Sequence, residues 1–198
     1  MLVAFLAVSA LVIVTPGQDT ALTIRNTLLG GRTAGVFTAI GVSAGQATWT
    51  VATSLGVGAL LVASEPAFLA LKLVGGAYLV FLGVQTLWRR GKVVPLALGG
   101  GRVGSRTALR QGVLSNLGNP KMLAFFTSLL PQFASSFAGL LALGLTFCAM
   151  TLVWLCLYSV VITKAGALLR RKRVRRTIEA VTGTVLIALG LRLAMEAK

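Results

Sequence analysis

The chain has 198 residues, 56% of them hydrophobic and only 12% charged, with a mean hydropathy of +0.89. The charged share is about half that of soluble domains, and apolar runs of bilayer-spanning length recur throughout, so the composition marks an all-α integral membrane protein. The net charge of +15 sits in short clusters between apolar runs without interleaved aromatics, which excludes nucleic acid as a partner, and the absence of histidine excludes His-ligated zinc or haem.

Six segments are expected to span the lipid bilayer. The first runs from Leu2 to about Leu29 and is interrupted at Thr15-Pro16-Gly17-Gln18-Asp19. It lacks a basic n-region, so it reads as part of a span rather than as a cleaved signal peptide. Before Pro16 the arm covers about 21 Å, short of the roughly 30 Å hydrocarbon core, so the span continues past the break. The second segment, about Ala34 to Ala63, carries Gly41-Val42-Ser43-Ala44-Gly45. This small-residue spacing lets helix backbones approach closely, either within the protein or between protomers of a homo-oligomer.

The third segment, about Ala67 to Trp88, ends in an interfacial tryptophan followed by Arg89-Arg90. Residues 89–110 read as a flexible basic linker rich in glycine. The fourth segment, about Gln111 to Pro131, holds Asn116-Leu117-Gly118-Asn119-Pro120-Lys121. The fifth, about Phe137 to Thr163, contains Cys148 and Cys156, and the sixth covers about Thr177 to Met195. The two cysteines lie about 12 Å apart along one helix, so they cannot form the dithiol pair that a thiol-passing electron carrier needs.

Fifteen of the nineteen Lys and Arg residues fall in alternate loops, around 25–32, 89–110 and 164–176. The positive-inside rule then places those loops in the cytoplasm and both termini outside a multi-pass cytoplasmic membrane protein.

The linker divides the spans into a first three-helix repeat, 1–88, and a second, 111–198. Gly76-Ala77-Tyr78-Leu79-Val80-Phe81-Leu82-Gly83 and Gly183-Thr184-Val185-Leu186-Ile187-Ala188-Leu189-Gly190 share G-x-x-L-x-x-L-G at an offset of 107. Lys72 and Glu179 correspond at the same offset with opposite signs, each near a span end. Trp49 matches Trp154 at 105, and Pro16 matches Pro120 at 104. An odd number of spans per half inverts the second half, giving two inverted three-helix repeats with helices one and four broken, an architecture recurrent in transporters.

The breaks carry the candidate chemistry. Proline removes a backbone donor and glycine permits an excursion, and backbone opened at membrane depth must face protein or a water-filled cavity. The candidate substrate-binding residues are Pro16, Gly17, Gln18, Asp19, Gln46, Asn116, Asn119, Pro120 and Lys121. An ionisable group at such depth is a functional candidate by default. Asp19 either holds a substrate ammonium or carries the coupling proton. Lys121 either holds a carboxylate, pairs with Asp19, or snorkels to an interface. Gln18, Gln46, Asn116 and Asn119 suit hydrogen bonds to a zwitterion. Both charge signs in one small site favour an amino acid or derivative over a sugar or metal ion. No enzymatic constellation and no cofactor are expected. The rival readings are an exporter of another small solute or cation, a passive channel, or a non-transporting membrane protein.

These motifs in series resemble the LysE/RhtB family of amino-acid exporters. The resemblance rests on Thr15-Pro16-Gly17 with Asp19, Gly31-Arg32-Thr33-Ala34-Gly35, the Gly41/Gly45 pair, Lys72-Leu73-Val74-Gly75-Gly76-Ala77-Tyr78-Leu79, and Asn119-Pro120-Lys121 with Pro131-Gln132-Phe133. It implies six helices and proton-driven export of amino acids or related metabolites. Gln18 departs from the second proline common at that place in the family.

Overall fold

A computed structural model describes residues 2–15, 17–63 and 103–169, together with isolated positions between 69 and 88 and between 184 and 191. Every regular element among the described residues is helical. Most of the third and sixth expected spans, the linker as far as residue 102, and Pro16, Lys72 and Glu179 lie outside the described residues.

The first expected span is two helices. Helix α1, Leu2–Val14, stops just before the Pro-Gly pair, and α2, Gln18–Ala63, begins just after it. The axis turns by 51° between Leu2–Val14 and Gln18–Gly56. Inside α2 a second interruption falls at Gly31, with φ 74° and ψ −175°. That left-handed region strains a residue carrying Cβ, and glycine adopts it freely. The chain thereby passes from the arm 18–30 to the arm 32–63 without a longer loop, where the first and second expected spans meet.

A second break lies further along the chain. Helix α3, Ser105–Leu117, ends at Gly118, and α4, Pro120–Ala124, starts behind Asn119. Asn119 caps it by accepting from Lys121 N–H, with Pro120 at the first helical position, where no amide is needed. The ladder then widens to a π-turn over Phe125–Leu129 and closes as a 3-10 turn over Leu130–Gln132. Leu130 N–H reaches back five residues to Phe125 O, immediately before Pro131, which has no N–H with which to continue. Helix α5, Phe137–Leu169, follows.

Two boundaries differ from expectation. Helix α3 starts at Ser105, inside the segment read as linker. Its strong helix formers and the buried Ala108 explain the earlier start. Helix α5 runs six residues past the expected Thr163.

The burial pattern is that of a protein solvated by lipid. Large apolar side chains lie on the outside, among them Leu145, Val153, Leu157 and Val161 of α5. Phe137–Ile162 has a mean hydropathy of 2.3, yet only 33% of its most apolar window is buried. The interior holds a phenylalanine cluster in which Phe125 stacks on Phe147 at 4.1 Å between ring centroids, and Phe126 meets Phe147 edge-on. Many hydroxyls are buried too. Thr23, Thr27, Thr38, Thr50 and Ser159 each donate to the carbonyl four residues back, which satisfies them within their own helix.

The glycine pair of the second span works inside the protein. Gly41 lies directly against the backbone of Leu109 and Gly112, and a Cβ on Gly45 would stand 3.0 Å from Asn116 Oδ1. This contact seats the 32–63 arm on α3, and so sets the helix that carries Ser115 and Asn116 against the first half of the chain.

Candidate functional site

Asp19 is buried in the first turn of α2. Its carboxylate accepts three hydrogen bonds, all from the second break. Ser115 Oγ donates to Oδ1 at 2.8 Å, and Asn116 Nδ2 and Asn119 Nδ2 each donate to Oδ2 at 2.9 Å. Ser115 and Asn116 precede Asn119 by four and three residues, spacings that bring each close to Asn119, and α3 ends between Asn116 and Asn119. Asn119 works in two directions. Its amide nitrogen holds Asp19, and its oxygen accepts from Lys121 N–H at 3.0 Å.

Lys121 reaches the opposite way. Its Nζ donates to Val12 O at 3.0 Å and to Thr15 O at 3.2 Å, at the end of α1. A Cβ on Gly17 would stand 3.1 Å from that nitrogen. Each break therefore receives a charged side chain from the segment beside the other. The two charges do not hydrogen-bond each other, although both helix ends suit them: α1 presents its carbonyl end to the cation.

Gln46 is buried on the 32–63 arm and donates from Nε2 to Thr151 Oγ1 at 3.2 Å and to Met122 Sδ at 3.6 Å. It is not a ligand of Asp19; Met122, next to Lys121, links it to the second break. Gln18 is exposed and joins none of these contacts. Pro120 is exposed and shapes the second break through its backbone. Thus Gly17, Asp19, Asn116, Asn119 and Lys121 come together, Gln46 borders them, and Gln18 stands apart.

Ser115 and Asn26 are further buried or bonded polar residues of this region. Ser115 completes the Asp19 shell. Asn26 Nδ2 donates to Thr38 Oγ1 and to Gln111 Oε1, both at 3.0 Å, and so ties together the 18–30 arm, the 32–63 arm and α3. The helical spacing of Ser115 with Asn116 and Asn119 was a usable signal; Asn26 carried none. Buried and without a hydrogen-bond partner among the described residues are Ser9 Oγ, Gln46 Oε1, Asn116 Oδ1, Trp49 Nε1 and Trp154 Nε1. Buried polar atoms left unmet are costly unless something pairs with them. Among the described residues no cluster of His, Cys, Asp or Glu could hold a metal ion.

The family model described as LysE type translocator matches residues 10–197. A homoserine/homoserine lactone efflux protein of Salmonella typhimurium (strain LT2) is 27% identical, covering 96% of this chain and 94% of that one. A leucine efflux protein of Enterobacter sp. (strain 638) is 30% identical over 62% of this chain and 58% of its own length. A membrane protein of Bacillus subtilis (strain 168) is 26% identical over 96% of this chain and 97% of its own. No solved structure matches.

Proposed function

The chain belongs to the LysE family of translocators, and from that premise we propose that it exports an amino acid or close derivative across the cytoplasmic membrane, coupled to protons and working by alternating access. The observation that carries the reading is the buried Asp19 carboxylate, drawn from the first half of the chain and held by three donors at the break of the second. Relatives named for homoserine, homoserine lactone and leucine efflux favour a small amino-acid scaffold as substrate class. The chain works as a transporter and not as an enzyme, with both termini outside as the alternating basic loops imply.

In this reading Asp19 is the counter-charge for a substrate ammonium and the carrier of the coupling proton. The two carboxylate oxygens differ. Oδ1 faces the Ser115 hydroxyl, which can donate or accept, so a proton on Oδ1 is accommodated by reversing that bond. Oδ2 faces two amide nitrogens, which only donate. A substrate ammonium arriving at Oδ2 displaces those amides, and Asn119 is also the cap of α4. Occupancy of Asp19 is thereby linked to the geometry of the second break. The unmet polar atoms of Gln46, Asn116, Trp49 and Trp154 supply further groups suited to a zwitterion.

The same correspondence of breaks supports two inverted three-helix repeats as the framework for alternating access. Counterflow in proteoliposomes, with a panel of amino acids and their lactones, tests the proposal. Saturable exchange of at least one is the expected result; no movement of any would sink it.

A further inference from the structure

A helix carbonyl ordinarily accepts from the amide four residues on. For Val12 that residue is Pro16, which has no N–H. The matching carbonyl at the second break, that of Asn116, meets the same loss at Pro120. There the chain repairs itself, with Asn119 N–H donating to Asn116 O at 3.0 Å. At the first break the donor comes from the other half: Lys121 Nζ binds Val12 O and Thr15 O. Gly17 forms a further wall, because a side chain there would meet Nζ at 3.1 Å. The ammonium thus stands at the carbonyl end of α1, where the helix dipole favours a cation.

We infer that this is a monovalent-cation seat which the chain fills with its own ammonium. The carbonyl ends of broken helices bind a free sodium ion in some transporters; here Lys121 holds the place by a tether, and transport needs no sodium. The tether also closes the seat to the substrate's ammonium, which leaves Asp19 as the one buried carboxylate among the described residues able to receive it. The seat itself is a matter of geometry; only its consequence for transport rests on the exporter reading.

The test uses the purified full chain in detergent. Lys121→Ala vacates the seat and should lower the thermal midpoint by several degrees. Methylammonium chloride should recover most of that loss, whereas choline chloride, which has no N–H and is bulkier, should not. Wild type should respond alike to both salts. Equal action of the two salts on the variant, or an equal gain in wild type from methylammonium, overturns the inference. Should Lys121→Ala not fold, Gly17→Ala provides the second measurement. It should lower the midpoint in wild type and clearly less in a Lys121→Met background; equal losses overturn the seat. In proteoliposomes, flux should be unchanged when potassium replaces sodium, and a sodium requirement overturns the inference. Absence of flux under every condition counts against the proposed function alone, and the thermal measurements then decide the seat.

Discussion

Gln46 donates to Thr151 at 3.2 Å, and the two residues are 105 positions apart, the separation that also relates Trp49 to Trp154. Ser43 Oγ donates to Cys148 O at 3.4 Å across the same separation. Further along the same pair of helices, Gly35 lies against Ser159 and Gly144 against Thr50, so the 32–63 arm and α5 cross antiparallel. In a molecule built of two halves related by a two-fold axis, residues that touch their own counterparts lie on that axis. The broken spans behave likewise, with Gly17 beside Lys121, 104 positions on. These pairs support the proposed inverted repeat, and they place both breaks where a two-fold axis would pass.

Asp19→Asn should keep the fold and lose coupled transport. The substitution preserves shape but removes the charge and the site for a proton; its single oxygen can still accept from the Asn116 and Asn119 amides, which already share Oδ2, and its new amide can donate to the Ser115 hydroxyl. Export should fall by at least about tenfold, equivalent to about 1.4 kcal/mol, while membrane yield and helicity persist. Flux measured across a pH series gives the sharper check. An unchanged pH dependence in an active variant would remove Asp19 from the proton path.

Ser115→Ala should separate binding from proton handling. Asp19 keeps its two amide donors at Oδ2 but loses the reversible partner at Oδ1. A hydrogen bond to a charged group contributes about 1.5–3 kcal/mol, so the thermal midpoint should drop measurably. Ser115→Thr, which keeps a hydroxyl, should restore both the midpoint and the pH profile. If alanine and threonine shift the pH profile equally, the hydroxyl has no part in proton transfer.

Much of this organisation was legible in the chain. Pro16-Gly17 and Asn119-Pro120 announced two breaks because proline and glycine act on the backbone wherever they stand, and both breaks are present. The Gly41/Gly45 pair announced a close helix contact but not its partner, since spacing says nothing of which helix lies opposite. The fate of Lys121 was not legible. Its charge suggested a carboxylate partner, but Val12 O needed a donor and lay within reach of a long side chain. Gln18, adjacent to Asp19 in sequence, points elsewhere because successive helix positions do not share a face. The start of α3 at Ser105 was hidden by the glycine- and arginine-rich residues before it.

Glycine positions should divide sharply by what faces them. Gly41→Ala drives a methyl into the Leu109 backbone, which cannot rotate away, and prises the 32–63 arm from α3. Overpacking of this kind costs about 1–3 kcal/mol, and the displacement also shifts Ser115 and Asn116, so folding yield and transport should fall together. Gly56→Ala, with nothing within 4 Å of the new methyl, should be neutral or slightly stabilising because it favours the helix. Thermal unfolding of the two variants side by side checks the contrast. Equal effects would place the close contact elsewhere.

The Gln46–Thr151 pair should show coupling that neither single variant reveals. Thr151→Val removes the hydroxyl while keeping the shape, and it leaves Gln46 Nε2 with only the weak Met122 sulfur as acceptor. Gln46→Met removes the whole amide, both the Nε2 donor and the unpartnered Oε1, so part of its cost is offset by relief of that buried acceptor. The double variant leaves neither member of this pair stranded. Its loss of stability should therefore be smaller than the sum of the two single losses, by about 0.5–3 kcal/mol, the range found for residues in direct contact. Thermal or denaturant unfolding of all four proteins gives the cycle. Transport measured on the same set adds a second reading. If Gln46 serves only to join the two helices, the double variant regains flux along with stability. If its free oxygen also meets the substrate, stability returns and flux does not.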